Sequence, residues 1–440
     1  MAILVSLGVV AGVYAIAGLT SPFIYWPTYR LLWRTTLTSR GKGLSASVRL
    51  RQIGFLLRQL ALLPVWTALW YLDDLLYPAY RSRRTEPVFI VGQPRSGTTL
   101  LHRTLAADEG TFFAVRHIEW RLPFISVQKF LRYTGLASRL ATRSYWPNTA
   151  AGRMASKMHP NTLADWEEDG VFFEERVLHH FFLFLRFPYP DILGKLDEFD
   201  GLPAGVQEKF LRVHQRVLQK IAYLRGRSDA LYLSKEVTSH NKIPQLMRRY
   251  PGARFLVILR PSRVFMSSLL GLVRNSTESK AGVDPATIPS WTHAFVERMQ
   301  KDSLRLVHLC RVAIPEERQT RVPFESFIRD VPGTVASIYA SLAIPLRAEF
   351  SAHLEVLKEQ QLTRDRGYSY EESDLPGFED YDRFVADTDR EFRQNLLHGR
   401  MAFESRFEGG DVTPSQASDV VSRLRAAESD CALSAPTADA

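Results

Sequence analysis

Residues 87–107 constrain this chain more than any other stretch. Pro87-Val-Phe-Ile-Val91 is a short apolar run, the pattern of a strand buried in a parallel sheet. Gly92-Gln-Pro-Arg-Ser-Gly-Thr-Thr99 follows, and Leu100–Ala107 then reads as a helix. Strand, glycine loop and helix turn the first helical amides toward an anion, with the helix dipole behind them. Gly92 and Gly97 permit the tight turn. Ser96, Thr98 and Thr99 add hydroxyl donors, and Arg95 supplies a planar, permanently charged fork for oxyanions. The fold class expected is α/β: a P-loop-like parallel β-sheet flanked by helices, preceded by a membrane-anchoring helical segment.

The loop is close to the G-x-x-x-x-G-K-S/T pattern of nucleotide triphosphatases, but Thr98 stands where the lysine belongs. Phe255-Leu-Val-Ile-Leu259 is the obvious second strand, and it ends in Arg260, not in an aspartate placed to hold magnesium. Arginines in place of lysine and magnesium ligands suit a nucleotide whose charge is met by side chains alone. No metal is expected. A phosphoryl transferase of the P-loop kinase class, or a non-catalytic membrane-bound nucleotide-binding protein, are the rival readings.

The stretch Gly92–Leu101 resembles the phosphosulfate loop of the sulfotransferases that use 3′-phosphoadenosine 5′-phosphosulfate (PAPS), in the branch carrying Pro-Arg-Ser-Gly-Thr-Thr. Arg260-Pro-Ser-Arg-Val-Phe-Met-Ser-Ser268 resembles that family's 3′-phosphate motif, with Arg260 at the strand end and Ser268 on the next helix. The family often has Arg-Asp-Pro where this chain has Arg-Pro-Ser. Leu233-Ser-Lys235, Ile243–Ala253, Val322-Pro-Phe-Glu325 with Ile338-Tyr339, and Arg366–Tyr370 match in order, so the resemblance covers roughly residues 85–390. It implies one α/β domain and transfer of a sulfuryl group to a hydroxyl or amine. It also implies that Arg95, Ser96, Gly97, Thr98 and Thr99 hold one end of PAPS, and Arg260 and Ser268 the other.

The acceptor needs a base within hydrogen-bond reach. The family commonly puts Glu or His shortly after the phosphate-loop helix, where this chain has Arg116-His-Ile-Glu-Trp120. Glu119 aligns with the family's glutamate, and His117 is a neighbour of suitable pKa. Glu119 in a structural ion pair with Arg116 or Arg121 is the plain alternative. His159-Pro-Asn-Thr-Leu-Ala-Asp-Trp-Glu-Glu-Asp169 is a rival cluster, in which Glu167, Glu168 and Asp169 either orient the acceptor or start a solvated helix. Lys235 stands either near the bridging oxygen of the donor or in an ion pair. Phe172-Phe173 and His179–Arg186 read as core before they read as an acceptor pocket, and the paired histidines lack partners at metal spacing.

Residues 1–72 hold seven basic residues and no acid, leaving only +2 of the net +9 for the other 368 residues. A nucleic-acid partner is therefore not expected, and the excess charge belongs to an amino-terminal membrane device. Ala2–Trp26 is uncharged and long enough to cross the hydrocarbon core. It lacks the basic start of a cleaved signal peptide, and Trp26, Tyr29 and Trp33 suit the interface. The basic residues that follow place residues 30–51 in the cytoplasm. Ile53–Leu72, interrupted by Arg58 and bent by Pro64, is expected to lie along that face; the alternative is a second crossing, which would put the rest of the chain on the other side. The expected organisation is an anchor and interfacial helix over 1–80, a catalytic domain over 81–408 on the cytoplasmic side, and a disordered tail over 409–440. A membrane-held body points to a lipid, glycolipid or other small acceptor.

Composition adds exclusions. With 45% hydrophobic and 23% charged residues, the chain is neither disordered nor fibrous. Two cysteines, Cys310 and Cys431, exclude a disulfide framework.

Overall fold

The computed structural model describes residues 2–39, 44–227, 231–237, 240–363 and 375–407. The expected tail and the Arg366–Tyr370 motif lie outside them. The chain divides into two compact units, Met1–Arg321 with Arg366–Val385, and Val322–Asp365 with Ala386–Ala440.

Three helices open the first unit: α1 (Ala2–Thr20), α2 (Trp26–Thr38) and α3 (Ala46–Leu76). The long apolar run predicted to reach Trp26 as one helix stops at Thr20. Ser21, Phe23 and Ile24 turn inward and are buried. Ile24 N donates to Arg176 O (3.1 Å), Tyr25 N donates to Val177 O (3.2 Å), and the Phe23 ring meets Trp70 edge-on.

Pro64 does not break α3, which runs through it for 31 residues from an N-cap at Ser45. Its buried residues, among them Val48, Phe55, Leu56, Leu63, Trp66 and Trp70, recur at helical spacing along one face. Full burial of each large apolar side chain contributes about 1.5–3 kcal/mol, so this face fastens the helix to the body. By length and composition α3 could cross a membrane, although 39% of its most apolar window is buried in the fold.

β1 (Pro87–Val91) is buried at every position and sits at the centre of the sheet. It leads through the glycine loop into α4 (Thr98–Ala106). There follow β2 (Phe112–Phe113), α5 (His117–Arg121), β3 (Leu231–Glu236), β4 (Arg254–Leu259) and β5 (Gln319–Pro323). The strand order is β2-β3-β1-β4-β5. β1 pairs in parallel with β3, Ile90 opposite Lys235, and with β4, Val91 opposite Val257. The expected parallel sheet flanked by helices is therefore present, with β1, β3 and β4 ending on one side. That side is where ligands bind in open α/β sheets.

Phe172, Phe173, Phe181 and Leu183–Leu185 are core, with Phe172 and Leu183 fully buried. Cys310 is buried and unpaired by any disulfide, and burial pushes its thiol up to about 12. In the second unit, Asp330 caps the helix Val331–Ser341 by accepting from Gly333 N (3.1 Å), and Tyr339 packs on Phe350.

Candidate active site

The glycine loop has the backbone its sequence demands. A side chain at Gly92 would put Cβ 2.5 Å from Ile258 O on β4, so only glycine allows the strands to lie this close. Gly97 has φ +94° and caps α4 without a side-chain hydrogen bond. Arg95 also takes the left-handed conformation, φ +70°, which is uncommon for a residue with a side chain and is found preferentially at functional sites.

That conformation has a use. Arg95 Nε donates to Ser268 Oγ (2.8 Å), and its NH1 donates to Met158 O (3.0 Å). Arg260 NH1 donates to Arg95 O (3.0 Å). Tyr381 OH donates to the Arg260 carbonyl (3.1 Å), with buried Ser96 beside the same phenol. Residues far apart in sequence thus form one cationic, hydroxyl-lined corner: Arg95, Ser96, Gly97 and Thr98 from the loop, Arg260 from the end of β4, and Ser268 from the helix Ser262–Ala281. Such a corner fits a ligand bearing more than one anionic group.

A second cluster adjoins the loop. Lys235, on β3 beside β1, is 2% exposed and donates to Thr99 Oγ1 (3.2 Å) and Glu167 Oε1 (2.9 Å). Its Nζ is also 3.5 Å from Glu168 Oε1. Asn161 donates to Glu167, and His159 Nε2 lies 3.6 Å from it. The segment carrying these acids is laced to α5 and its approach: Glu167 N donates to Val115 O (3.0 Å), His117 N to Asp165 O (2.8 Å), and Trp120 Nε1 to Glu167 O (2.8 Å). These acids are no solvated helix start. Glu167, Glu168 and Asp169 are all buried, and Asp169 pairs with Lys242 at 2.7 Å.

Burial gives the two glutamates opposite characters. It works against the charge of Glu167, but Lys235 and His159 hold that carboxyl well below the usual range. For Glu168, burial with Glu167 and Asp169 nearby outweighs the pull of Lys235 and pushes the carboxyl up to about 8. Two carboxyls whose pKa values are driven apart are a familiar sign of acid–base work.

The residues expected to supply the base stand differently. Glu119 accepts from Arg116 N (2.7 Å), capping α5, and pairs with Arg225. The carboxylate expected as a base is thus engaged in a cap and an ion pair, and the ion-pair partner is Arg225 instead of Arg116 or Arg121. His117 is fully buried, its ring 4.4 Å from that of Tyr145, and burial lowers it to about 4. It is neutral at pH 7 and faces the electrostatic field of Glu167. Residues 117 and 119 lie on a short helix, not on a strand, so they do not share a face. The acidic run after His159 carries the sequence cue for the Glu167–Glu168 cluster, but only the fold shows that Lys235 draws it to the loop.

Among the described residues no group of three or more His, Cys, Asp or Glu side chains is arranged to hold a metal ion.

A model of the sulfotransferase family matches residues 87–348, more than half of the chain. Among solved structures, sulfotransferase STF9 from Mycobacterium avium is similar at 16% identity and TM-score 0.59, covering 88% of this chain and 96% of its own. Sulfotransferase STF1 from Mycobacterium tuberculosis H37Rv is similar at 18% identity and TM-score 0.54, covering 86% of this chain and 97% of its own. At such identities these likenesses establish the fold alone. No curated protein matches the chain. The family match takes in the glycine loop, the Lys235 cluster and the Arg260–Ser268 corner together: this chain belongs to the sulfotransferase family.

Proposed function

We propose that the protein transfers the sulfuryl group of PAPS to a hydroxyl of a lipid, a glycolipid or another small acceptor. The observation that carries this reading is the Lys235 bridge, which joins the anion loop at Thr99 to the carboxyl pair Glu167–Glu168. In this reading the amides and hydroxyls of Ser96, Gly97, Thr98 and Thr99, with Arg95, bind the phosphosulfate end. Arg260 and Ser268 bind the 3′-phosphate. Charge that develops on the bridging oxygen is met by Lys235 and the loop, groups already in place before reaction.

Glu168 serves as the base in place of Glu119 and His117. The acceptor oxygen forms a bond to sulfur as its proton passes to Glu168. The bond from sulfur to the 5′-phosphate oxygen breaks, and 3′-phosphoadenosine 5′-phosphate (PAP) leaves with the electron pair. A carboxyl raised toward neutral pH is a stronger base than an ordinary one once ionised.

The body works on the cytoplasmic side, held to the membrane through residues 1–80, where acceptors with apolar tails present their hydroxyls. The basic, acid-free amino-terminal segment supports this placement. The test is incubation of the purified protein with sulfur-labelled PAPS and a lipid extract. Label in an organic-soluble product supports the reading. Transfer of the γ-phosphate of ATP with magnesium, and none of label from PAPS, overturns it in favour of a kinase.

A further inference from the structure

The outer face of α3 breaks the rule that a helix packed on a soluble body shows polar residues to water. Positions 50, 54, 57, 61, 65, 68, 72 and 75 form a continuous exposed stripe that holds only Leu, Gly, Ala and Val, with exposed Arg51, Arg58 and Tyr71 along its borders. Leu57, Val65 and Leu75 are 51%, 54% and 76% exposed. α1 lies beside α3 and runs in the same direction: Tyr14 OH donates to Ala61 O (3.3 Å), and Tyr71 OH donates to Thr20 O (2.6 Å). α1 extends the apolar area, with Val9, Ile16 and Leu19 exposed at 62%, 64% and 87%. An apolar expanse across two helices is far more than the scattered exposed side chains of ordinary surfaces.

The inner face of α3 cannot follow a path across a bilayer. Asp73, fully buried, pairs with Lys220 (3.0 Å) while capping Ile125 N (2.7 Å) and Ser126 N (3.0 Å), and half-exposed Arg58, at the border of the outer face, pairs with Glu175 (3.1 Å). The Arg176 guanidinium sits 3.6 Å over the Trp66 ring. These contacts span the helix from Arg58 to Asp73. A crossing by α3 would carry buried charges and the body packed on them into hydrocarbon, where uncompensated ions are costly.

We propose that α1 and the outer stripe of α3 form an in-plane docking surface that seats the body on one leaflet of an anionic bilayer, without a crossing by residues 2–26. The occupant is lipid for reasons of charge and length. The segment that carries the face has no acid through residue 72 and exposes Arg30, Arg34 and Arg51, which match anionic headgroups. Its apolar face is two long helices wide, the form of interfacial anchors that bury one side at the headgroup boundary. The proposal rests on the sulfotransferase reading only for the kind of acceptor such seating would serve.

Binding, not turnover, tests it. Full-length protein is floated with vesicles of phosphatidylcholine, with and without phosphatidylglycerol. The wild type floats with both and more with the anionic mixture. L57E/V65E alters two exposed positions and loses vesicle binding roughly tenfold or more, as charge on a buried interfacial face requires, while PAP binding stays intact. Should that variant fail to fold, environment-sensitive dyes at V9C and V65C decide. Both shift blue on vesicles, and brominated lipids quench both at the same shallow depth. Unchanged flotation of folded L57E/V65E overturns the proposal. A dye at position 9 in mid-bilayer with the one at 65 in water overturns it in favour of a crossing. Shielding of both dyes in a lipid-free dimer overturns it in favour of a protein interface. Failure of PAPS turnover with intact docking would instead count against the enzymatic reading alone.

Discussion

Lys235 Nζ stands 3.2 Å from Thr99 Oγ1 and 2.9 Å from Glu167 Oε1, so one buried ammonium ties the first turn of α4 to a carboxyl cluster 68 residues upstream of it. In the proposed reaction the contact joins the part of the site assigned to the anion to the part assigned to the proton. Neither could be placed beside the other by spacing along the chain.

At the other end of the donor, Arg260→Ala should weaken PAP binding far more than AMP binding. The guanidinium also holds Arg95 O at 3.0 Å, so some loss with AMP is expected through the loop. Removing a charged hydrogen bond costs about 1.5–3 kcal/mol, roughly tenfold or more in Kd. Calorimetric titration of both nucleotides checks it; equal losses would mean that Arg260 does not read the 3′-phosphate.

Glu119→Gln is predicted to lower Tm without lowering turnover per folded molecule. The substitution strips the charge that faces Arg225 and weakens the cap on α5. Arg225 is partly exposed, so water screens it, and the cost is about 1–2 kcal/mol rather than that of a fully buried pair. Thermal melts and active-site titration by PAP separate the two effects. A folded, PAP-binding Glu119→Gln protein with collapsed turnover would restore Glu119 as the base.

The pH dependence follows from Glu168. Its carboxyl is raised to about 8, so the protonated, inactive form prevails at neutral pH. kcat/KM should climb with pH and level off above about 8. Stability has the opposite sign. The folded state holds this proton more tightly than the unfolded chain, so the contribution is full below the ordinary glutamate range and is lost as pH rises through about 8. Glu168→Gln should therefore melt higher than wild type at alkaline pH, with the gap closing toward acid. Parallel melting curves across pH measure this, and an unchanged gap would show that Glu168 titrates normally.

Gly92→Ala should destabilise the body by roughly 1–3 kcal/mol, the range for overpacking, because its Cβ would meet Ile258 O at 2.5 Å. A denaturant midpoint equal to wild type would mean that the strands separate there at no cost.

The sequence was informative where the code is local. The loop Gly92–Thr99 and the strands ending near it follow from apolar runs, two glycines and turn chemistry, and the pairing of Arg260 with Ser268 comes from the resemblance to the family's 3′-phosphate motif. The contact of Arg95 with Ser268 spans 173 residues and depends on how β4 lies beside β1. The proposed move of the base from Glu119 to Glu168 has a related reason. Glu119 has the right offset from α4, but offset does not reveal that α5 turns it toward Arg225, nor that Glu167 and Glu168 are drawn under Lys235. The amino-terminal segment misled through hydropathy alone: apolar character continues past Thr20, yet Phe23 and Ile24 serve the core, and Pro64 sits inside a helix that continues through it with one side buried.

Sulfuryl transfer from labelled PAPS, compared between wild type and Glu168→Gln at a pH where Glu168 is ionised, tests the central claim most directly. The account predicts that Glu168→Gln binds PAP as wild type does and transfers label slower by a factor on the order of 100 or more, the range for a positioned acid–base group. Transfer at the wild-type rate by Glu168→Gln would contradict it.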